Sequence, residues 1–140
     1  MSKNKPKTPI LTVDSLIINK KGEVLLLKRN HFPFVGFWVL PGGHVKYGEK
    51  VEFALKREVF EETNLKIKNF KLIGVYSDPK RDPRYHTVSL AYLCQSTSGK
   101  LKGDWESTEQ KFFPLDKLPK KIGFDHRKII NDFKKWNRKF

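Results

Sequence analysis

The sequence predicts a mixed α/β fold built as one domain. Strand-like apolar segments stand on both sides of Lys50–Glu62, a stretch without Gly or Pro that has helical character. A second helical stretch closes the chain behind Asp125. With 140 residues the chain suits one domain, and its 38% apolar and 13% aromatic content is enough for a packed core.

In chain order, residues 1–7 form a basic, flexible tail, and Ile10–Ile18 is rich in Ile, Leu and Val, which predicts a strand. Asn19-Lys20-Lys21-Gly22 makes a turn, and Glu23–Arg29 returns as a second strand. An aromatic loop around Pro33 carries Phe32, Phe34, Phe37 and Trp38. Leu40-Pro41-Gly42-Gly43 excludes regular structure and lets the backbone approach a neighbour closely. The helix beginning at Lys50 ends near Asn64, a residue that tolerates the left-handed conformation found past helix ends. Lys66–Tyr76 and His86–Cys94 follow as strands, separated by a stiff segment with two Asp-Pro steps. Glu109–Phe113 makes a short last strand, and Asp125 caps a helix over His126–Trp136.

Lys and Arg number 29 against 15 Asp and Glu, a formal charge of +14 that attracts polyanions without choosing among them. A lone cysteine, Cys94, excludes an internal disulfide and a multi-cysteine metal site. No apolar run of 18 residues exists, so no membrane span is expected. The basic start lacks the apolar region of a signal peptide, and the expected setting is cytoplasmic.

On a helical wheel Val51, Ala54, Leu55 and Val59 fall within about 140°, the core-facing stripe. Glu58, Glu61 and Glu62 fall inside or beside that sector, where solvation would not place them. Phe53 and Phe60 form a second apolar stripe, which predicts a helix covered on two sides. The i, i+3 and i+4 spacing sets the three carboxylates about 5–6 Å apart at Cβ, close enough to share a hard cation. Mg²⁺ suits such a set, since it takes oxygen ligands, keeps several waters and bridges to phosphates.

The pattern Gly43-x5-Glu49-x7-Arg57-Glu58-Val59-Phe60-Glu61-Glu62-Thr63-Asn64-Leu65 resembles the Nudix box, Gly-x5-Glu-x7-Arg-Glu-U-x-Glu-Glu-x-Gly-U with U aliphatic. Six of the seven invariant positions match, and Asn64 replaces the last Gly. The resemblance implies a Nudix fold, an α/β/α sandwich around a mixed sheet, and a hydrolase of nucleoside diphosphates linked to another group that depends on Mg²⁺ or Mn²⁺. By position it implies Glu58, Glu61, Glu62 and Gly43 at the metal. Arg57 would orient the cluster through Glu49 or Glu58, and Glu61, Glu62 and Arg57 would serve catalysis. The general base would be a box glutamate or one from a later loop; Glu106 and Glu109 are the candidates, with Glu109 taken as catalytic.

The segment Tyr76–His86 presents Lys80, Arg81, Arg84 and His86 within seven positions, a basic loop suited to a diphosphate. With Trp38–Gly43, Pro79 fourteen residues past Leu65, Phe112–Asp116 and Phe124-Asp125-His126, it is similar to the ADP-ribose pyrophosphatase branch of the family. The likeness spans roughly residues 10–136. It implies hydrolysis of ADP-ribose to AMP and ribose 5-phosphate, with adenine stacked on Phe34, Phe37, Trp38 or Tyr76. A homodimer is compatible with it, and neither nucleic acid nor membrane is an expected partner. Two other readings stay open: a pyrophosphohydrolase of oxidised or noncognate nucleoside triphosphates, and a non-catalytic protein binding nucleotide or nucleic acid.

Overall fold

The computed structural model describes residues 7–138, so the N-terminal tail expected over 1–7 lies almost wholly outside the described residues. Nine elements follow in order: β1 (Ile10–Ile17), β2 (Glu23–Arg29), β3 (Trp38–Val39), β4 (Gly42–His44), α1 (Val51–Thr63), β5 (Lys66–Tyr76), β6 (Thr87–Ser98), β7 (Ser107–Pro114) and α2 (His126–Arg138). One sheet runs β4-β1-β6-β5, with β1 parallel to β6 and the other pairs antiparallel. The other is antiparallel, in the order β3-β2-β7.

Strand alternation divides the interior into two cores. Val13 and Ile17 of β1, with Leu25 and Leu27 of β2, pack with Ala54, Leu55 and Val59 of α1. The intervening Leu16, Val24 and Leu26 pack with Ile129, Ile130 and Phe133 of α2. Two helices therefore cover opposite faces of the strands, the α/β/α arrangement expected from the sequence.

The structure departs from the sequence reading at three places. The turn at Asn19–Gly22 forms, with the Asn19 Oδ1 accepting from the Lys21 and Glu23 amides at 3.0 and 2.9 Å. Yet β1 and β2 meet only at an Ile18–Val24 bridge and belong to different sheets, because β2 finds its partners in β3 and β7. Gly42 and Gly43 are not irregular: they pair in register with Asp14 and Val13 of β1. Phe53 and Phe60 remain exposed, at 60% and 48%, so α1 is covered on one side only among the described residues. The helix expected over His126–Trp136 forms and runs on to Arg138, and Trp136 packs against the second core. As expected, Asn64 closes α1 in the left-handed conformation (φ 65°), its amide on the Phe60 carbonyl. Among the described residues no helix is long and apolar enough to cross a membrane.

Candidate active site

One face of α1 opens on a cleft of about 480 Å³. Ala54, Leu55 and Val59 bury the helix, and this draws the neighbouring acids inward. Glu62 is 7% exposed and its Oε1 accepts the Gly42 amide at 3.0 Å. Burial drives its carboxyl well above the ordinary carboxylate range, against that hydrogen bond, and the nearby Glu58 charge adds to the rise. Burial likewise pushes the Glu58 carboxyl up to about 7, opposed by Arg57. Glu61 stands at the rim, its side chain 52% exposed.

Arg57 organises this wall. Its Nε and Nη2 grip both oxygens of Glu49 at 2.7 and 3.0 Å, and Nη1 reaches Glu58 and Glu61 at 3.2 Å each. Nη2 also donates to the His44 carbonyl. The Arg57 fork holds Glu49 down to about 2, helped by the Lys46 amide. The sequence proposed Glu49 or Glu58 as alternative partners; the guanidinium takes both. Gly43 lies under Glu58, where a Cβ would sit 2.4 Å from the Glu58 carboxyl carbon.

Guanidinium groups and rings line the same cleft as the acids. Arg29 and Arg84 line the cleft, 5.2 and 5.9 Å from the Phe124 ring, and Arg84 also covers Tyr85 at 5.0 Å. Arg84 is paired with Asp82 at 2.9 Å. Arg81 reaches the wall as well, but its guanidinium is already occupied. Nε and Nη2 bind Asp125 at 2.9 and 2.6 Å, Nη1 binds Thr87 at 2.7 Å, and Asp14 lies 3.5 Å away. Its contacts tie the Tyr76–His86 loop to α2, which is a structural use of a residue expected to bind substrate. Two other residues expected at the substrate lie off the wall. Lys80 is exposed beside Asp78, and the His86 Nε2 lies 3.0 Å from the Ser77 carbonyl.

Glu109 also falls outside. It sits exposed on β7 opposite Lys28, whereas Glu106, three residues earlier, lines the cleft with its carboxyl raised by burial and by Asp104. A β-bulge between Lys28 and Arg29 shifts the register there. The aromatics expected beneath adenine are spent elsewhere: Trp38 packs on Phe113, Phe34 on Phe37 and Phe124, and Tyr76 is buried with its hydroxyl donating to Asp132. Phe124 and Tyr85 occupy the cleft instead.

Sequence reasoning did not reach Asp14 or Arg29, and did not place Phe124 in the cleft. Asp14 carried a signal, an ionisable residue inside an otherwise apolar strand. It is buried yet lowered, since His126, Arg81 and Ser89 outweigh its desolvation. Arg29 gave none, because its role depends on which loops meet, and Phe124 signalled only through the family likeness of Phe124-Asp125-His126.

The donor set fits a hard divalent cation. Burial raises both carboxyls, Glu58 and Glu62, with the Glu58 charge adding to the rise of Glu62 and the Glu61 charge to that of Glu58, and Glu61 adds a third set of oxygens at the edge of the cleft. Among the described residues no three such side chains already close into a cage. The cluster is an open wall suited to an ion that keeps waters and shares phosphate oxygens.

The NUDIX domain model matches residues 8–133. An ADP-ribose pyrophosphatase from Methanocaldococcus jannaschii is 47% identical over 128 residues, covering 91% of this chain and 75% of that protein. The crystal structure of a MutT NUDIX hydrolase from Burkholderia pseudomallei superposes with a TM-score of 0.83 at 29% identity, over 90% of this chain and 98% of that one. That of a MutT/nudix family protein from Enterococcus faecalis gives 0.82 at 29% identity, over 99% and 66%. With an acidic helix, a glycine beneath it and a match over almost the whole chain, the protein belongs to the Nudix hydrolase family.

Proposed function

We propose that the protein hydrolyses the diphosphate bridge of ADP-ribose to AMP and ribose 5-phosphate. Mg²⁺ or Mn²⁺ would be held by Glu58, Glu61 and Glu62 together with the backbone at Gly43, in a cytoplasmic enzyme. The observation that carries this reading is the meeting of an acidic wall and a guanidinium wall in one cleft. A diphosphate calls for both, because its charge repels an attacking water until cations surround it. The relative that is 47% identical bears the name ADP-ribose pyrophosphatase, which supports this substrate over a nucleoside triphosphate.

A bound divalent ion would neutralise diphosphate oxygens and lower the pKa of water. The chain supplies the rest. Arg57 holds Glu58 and Glu61 at fixed spacing, and the Gly42 amide orients Glu62. Arg29 and Arg84 face the phosphate oxygens, and Phe124 and Tyr85 offer faces to the base. Glu106, raised and half-buried, accepts the proton as the water oxygen bonds to phosphorus and the bridging P–O bond breaks. Lys80, His86 and Glu109, off the cleft wall, have no part in this scheme.

Incubation with ADP-ribose and Mg²⁺, followed by chromatography of products, tests the proposal. AMP should appear, and should vanish with a chelator and in Glu62→Gln. Pyrophosphate from a nucleoside triphosphate without AMP from ADP-ribose would replace this substrate with the other enzymatic reading. No turnover, with steeply salt-dependent binding of nucleic acid, would replace the enzyme with a binder.

A further inference from the structure

We propose that His126 is a positioning residue for the acidic cluster, acting through the Leu40–Gly42 backbone on Glu62. This rests on reading Glu62 as a metal-binding carboxylate. His126 opens α2, is buried, and lies against the Phe124 ring at 5.3 Å. Both of its ring nitrogens are engaged with elements on the other side of the fold. Nδ1 accepts the Leu40 amide at 2.9 Å, and Nε2 lies 3.4 Å from the Asp14 Oδ1. An Nδ1 that accepts an amide hydrogen carries no proton, so the proton of the neutral ring resides on Nε2 and points at Asp14.

Leu40 sits between β3 and β4, followed by a proline, and its amide falls outside both ladders. Without His126 that buried N–H would have no acceptor in the fold described, a costly state. The next carbonyl, Pro41, accepts from both the amide and the hydroxyl of Ser15 at 2.8 and 2.9 Å. The Gly42 amide then points at Glu62. Three consecutive residues are thus tied to three different elements: Leu40 to α2, Pro41 to β1, Gly42 to α1. The strand cannot slide toward β1 either, since Gly42 is so close that a Cβ would lie 2.1 Å from the Val13 carbonyl oxygen. His126 closes the remaining freedom. Moving Leu40 would carry the Gly42 amide away from a carboxylate that burial already penalises, and the cluster would lose its orientation. This parallels the way outer partners of metal ligands set metal affinity without touching the metal.

Two substitutions separate positioning from packing. His126→Phe keeps the ring and loses the acceptor; His126→Asn loses the ring and leaves Oδ1 near the place of Nδ1. Mn²⁺ affinity, read by electron paramagnetic resonance, should fall roughly 10–100-fold in His126→Phe and by less than about threefold in His126→Asn. In the metal-free chain the Gly42 amide proton should shift in His126→Phe and stay in His126→Asn. Equal losses in the two variants, or wild-type Mn²⁺ affinity in His126→Phe, would overturn the proposal. Should neither variant fold, the wild-type ring decides: long-range ¹⁵N–¹H spectra should show an unprotonated Nδ1, and a proton there would overturn it. Mn²⁺ binding unaltered in Glu62→Gln would instead overturn the reading of the carboxylate, leaving the Gly42 amide shift to report on His126 alone.

Discussion

Replacing Gly43 with alanine places a methyl carbon against a carboxylate and leaves the backbone fold alone. The added Cβ would lie 2.4 Å from the Glu58 carboxyl carbon and Oε2 and 2.6 Å from Oε1, about 1 Å short of ordinary contact. What stands in the way is the end of a flexible side chain, so Glu58 turns aside at a rotamer cost of about 0.5–1.5 kcal/mol. A displacement of about 1 Å at a reacting centre costs on the order of 100-fold in rate. Gly42→Ala is the control. Its Cβ would meet the Val13 carbonyl oxygen at 2.1 Å and the Asp14 Cα at 3.0 Å, backbone atoms held by the β1–β4 pairing. That variant should lose about 1–3 kcal/mol of stability and on the order of 5–10 °C in Tm. Thermal melts by circular dichroism, Mn²⁺ binding and ADP-ribose turnover read both variants. Gly43→Ala should melt within a few degrees of wild type yet bind Mn²⁺ weakly and turn over about 100-fold more slowly. In a Glu58→Ala background, where the obstructed carboxylate is gone, adding Gly43→Ala should cost nothing more. An equal loss in both backgrounds would refute the steric argument, as would wild-type melting of Gly42→Ala.

The raised carboxyls predict how stability depends on pH. Glu58 titrates at about 7 in the fold against an ordinary 4.5, and Glu62 is also raised, so the folded chain binds more protons than the unfolded one above pH 4.5. Their contribution should make the metal-free protein lose stability as pH climbs through about 7, and saturating Mg²⁺ should abolish that decline, as melts from pH 5 to 8 with and without the ion will show. Arg81→Ala strips a buried guanidinium from Asp125 and Asp14, and denaturant unfolding should report a loss of about 3–5 kcal/mol. Arg84→Ala should raise KM for ADP-ribose on the order of tenfold, while Lys80→Ala and His86→Ala leave it within about twofold, a contrast that steady-state kinetics resolves.

The legible part of the site was local. Glu58, Glu61 and Glu62 share a helix, and once Ala54, Leu55 and Val59 were recognised as core, 3.6 residues per turn settled which way the acids faced. The same logic misjudged Phe53 and Phe60, since a wheel reports a face and cannot say whether anything covers it. The basic loop shows the other boundary. Lys80, Arg81, Arg84 and His86 look equivalent as a charge run, but Arg81 faces inward onto Asp125, forty-four residues on, and Arg84 alone combines a place on the cleft wall with exposure. Which of Glu106 and Glu109 lines the cleft turned on three residues of chain and one bulge, which composition does not encode.

By itself the chain determined the chemistry of its helix: the spacing of its acids, the arginine that spans them, the asparagine that ends it and the glycine before it are relations within one stretch, 43–65, where backbone geometry does the arranging. Tertiary structure decided everything that faces this wall. Asp14, Arg29, Arg84, Glu106, Phe124 and His126 come together through the β1–β6 and β2–β7 registers and the seating of α2, contacts between residues far apart in the chain. Their cost and reward depend on burial and on partners, so the same residue types become a guanidinium wall, a carboxyl raised in the cleft or a buried tie only where the fold sets them.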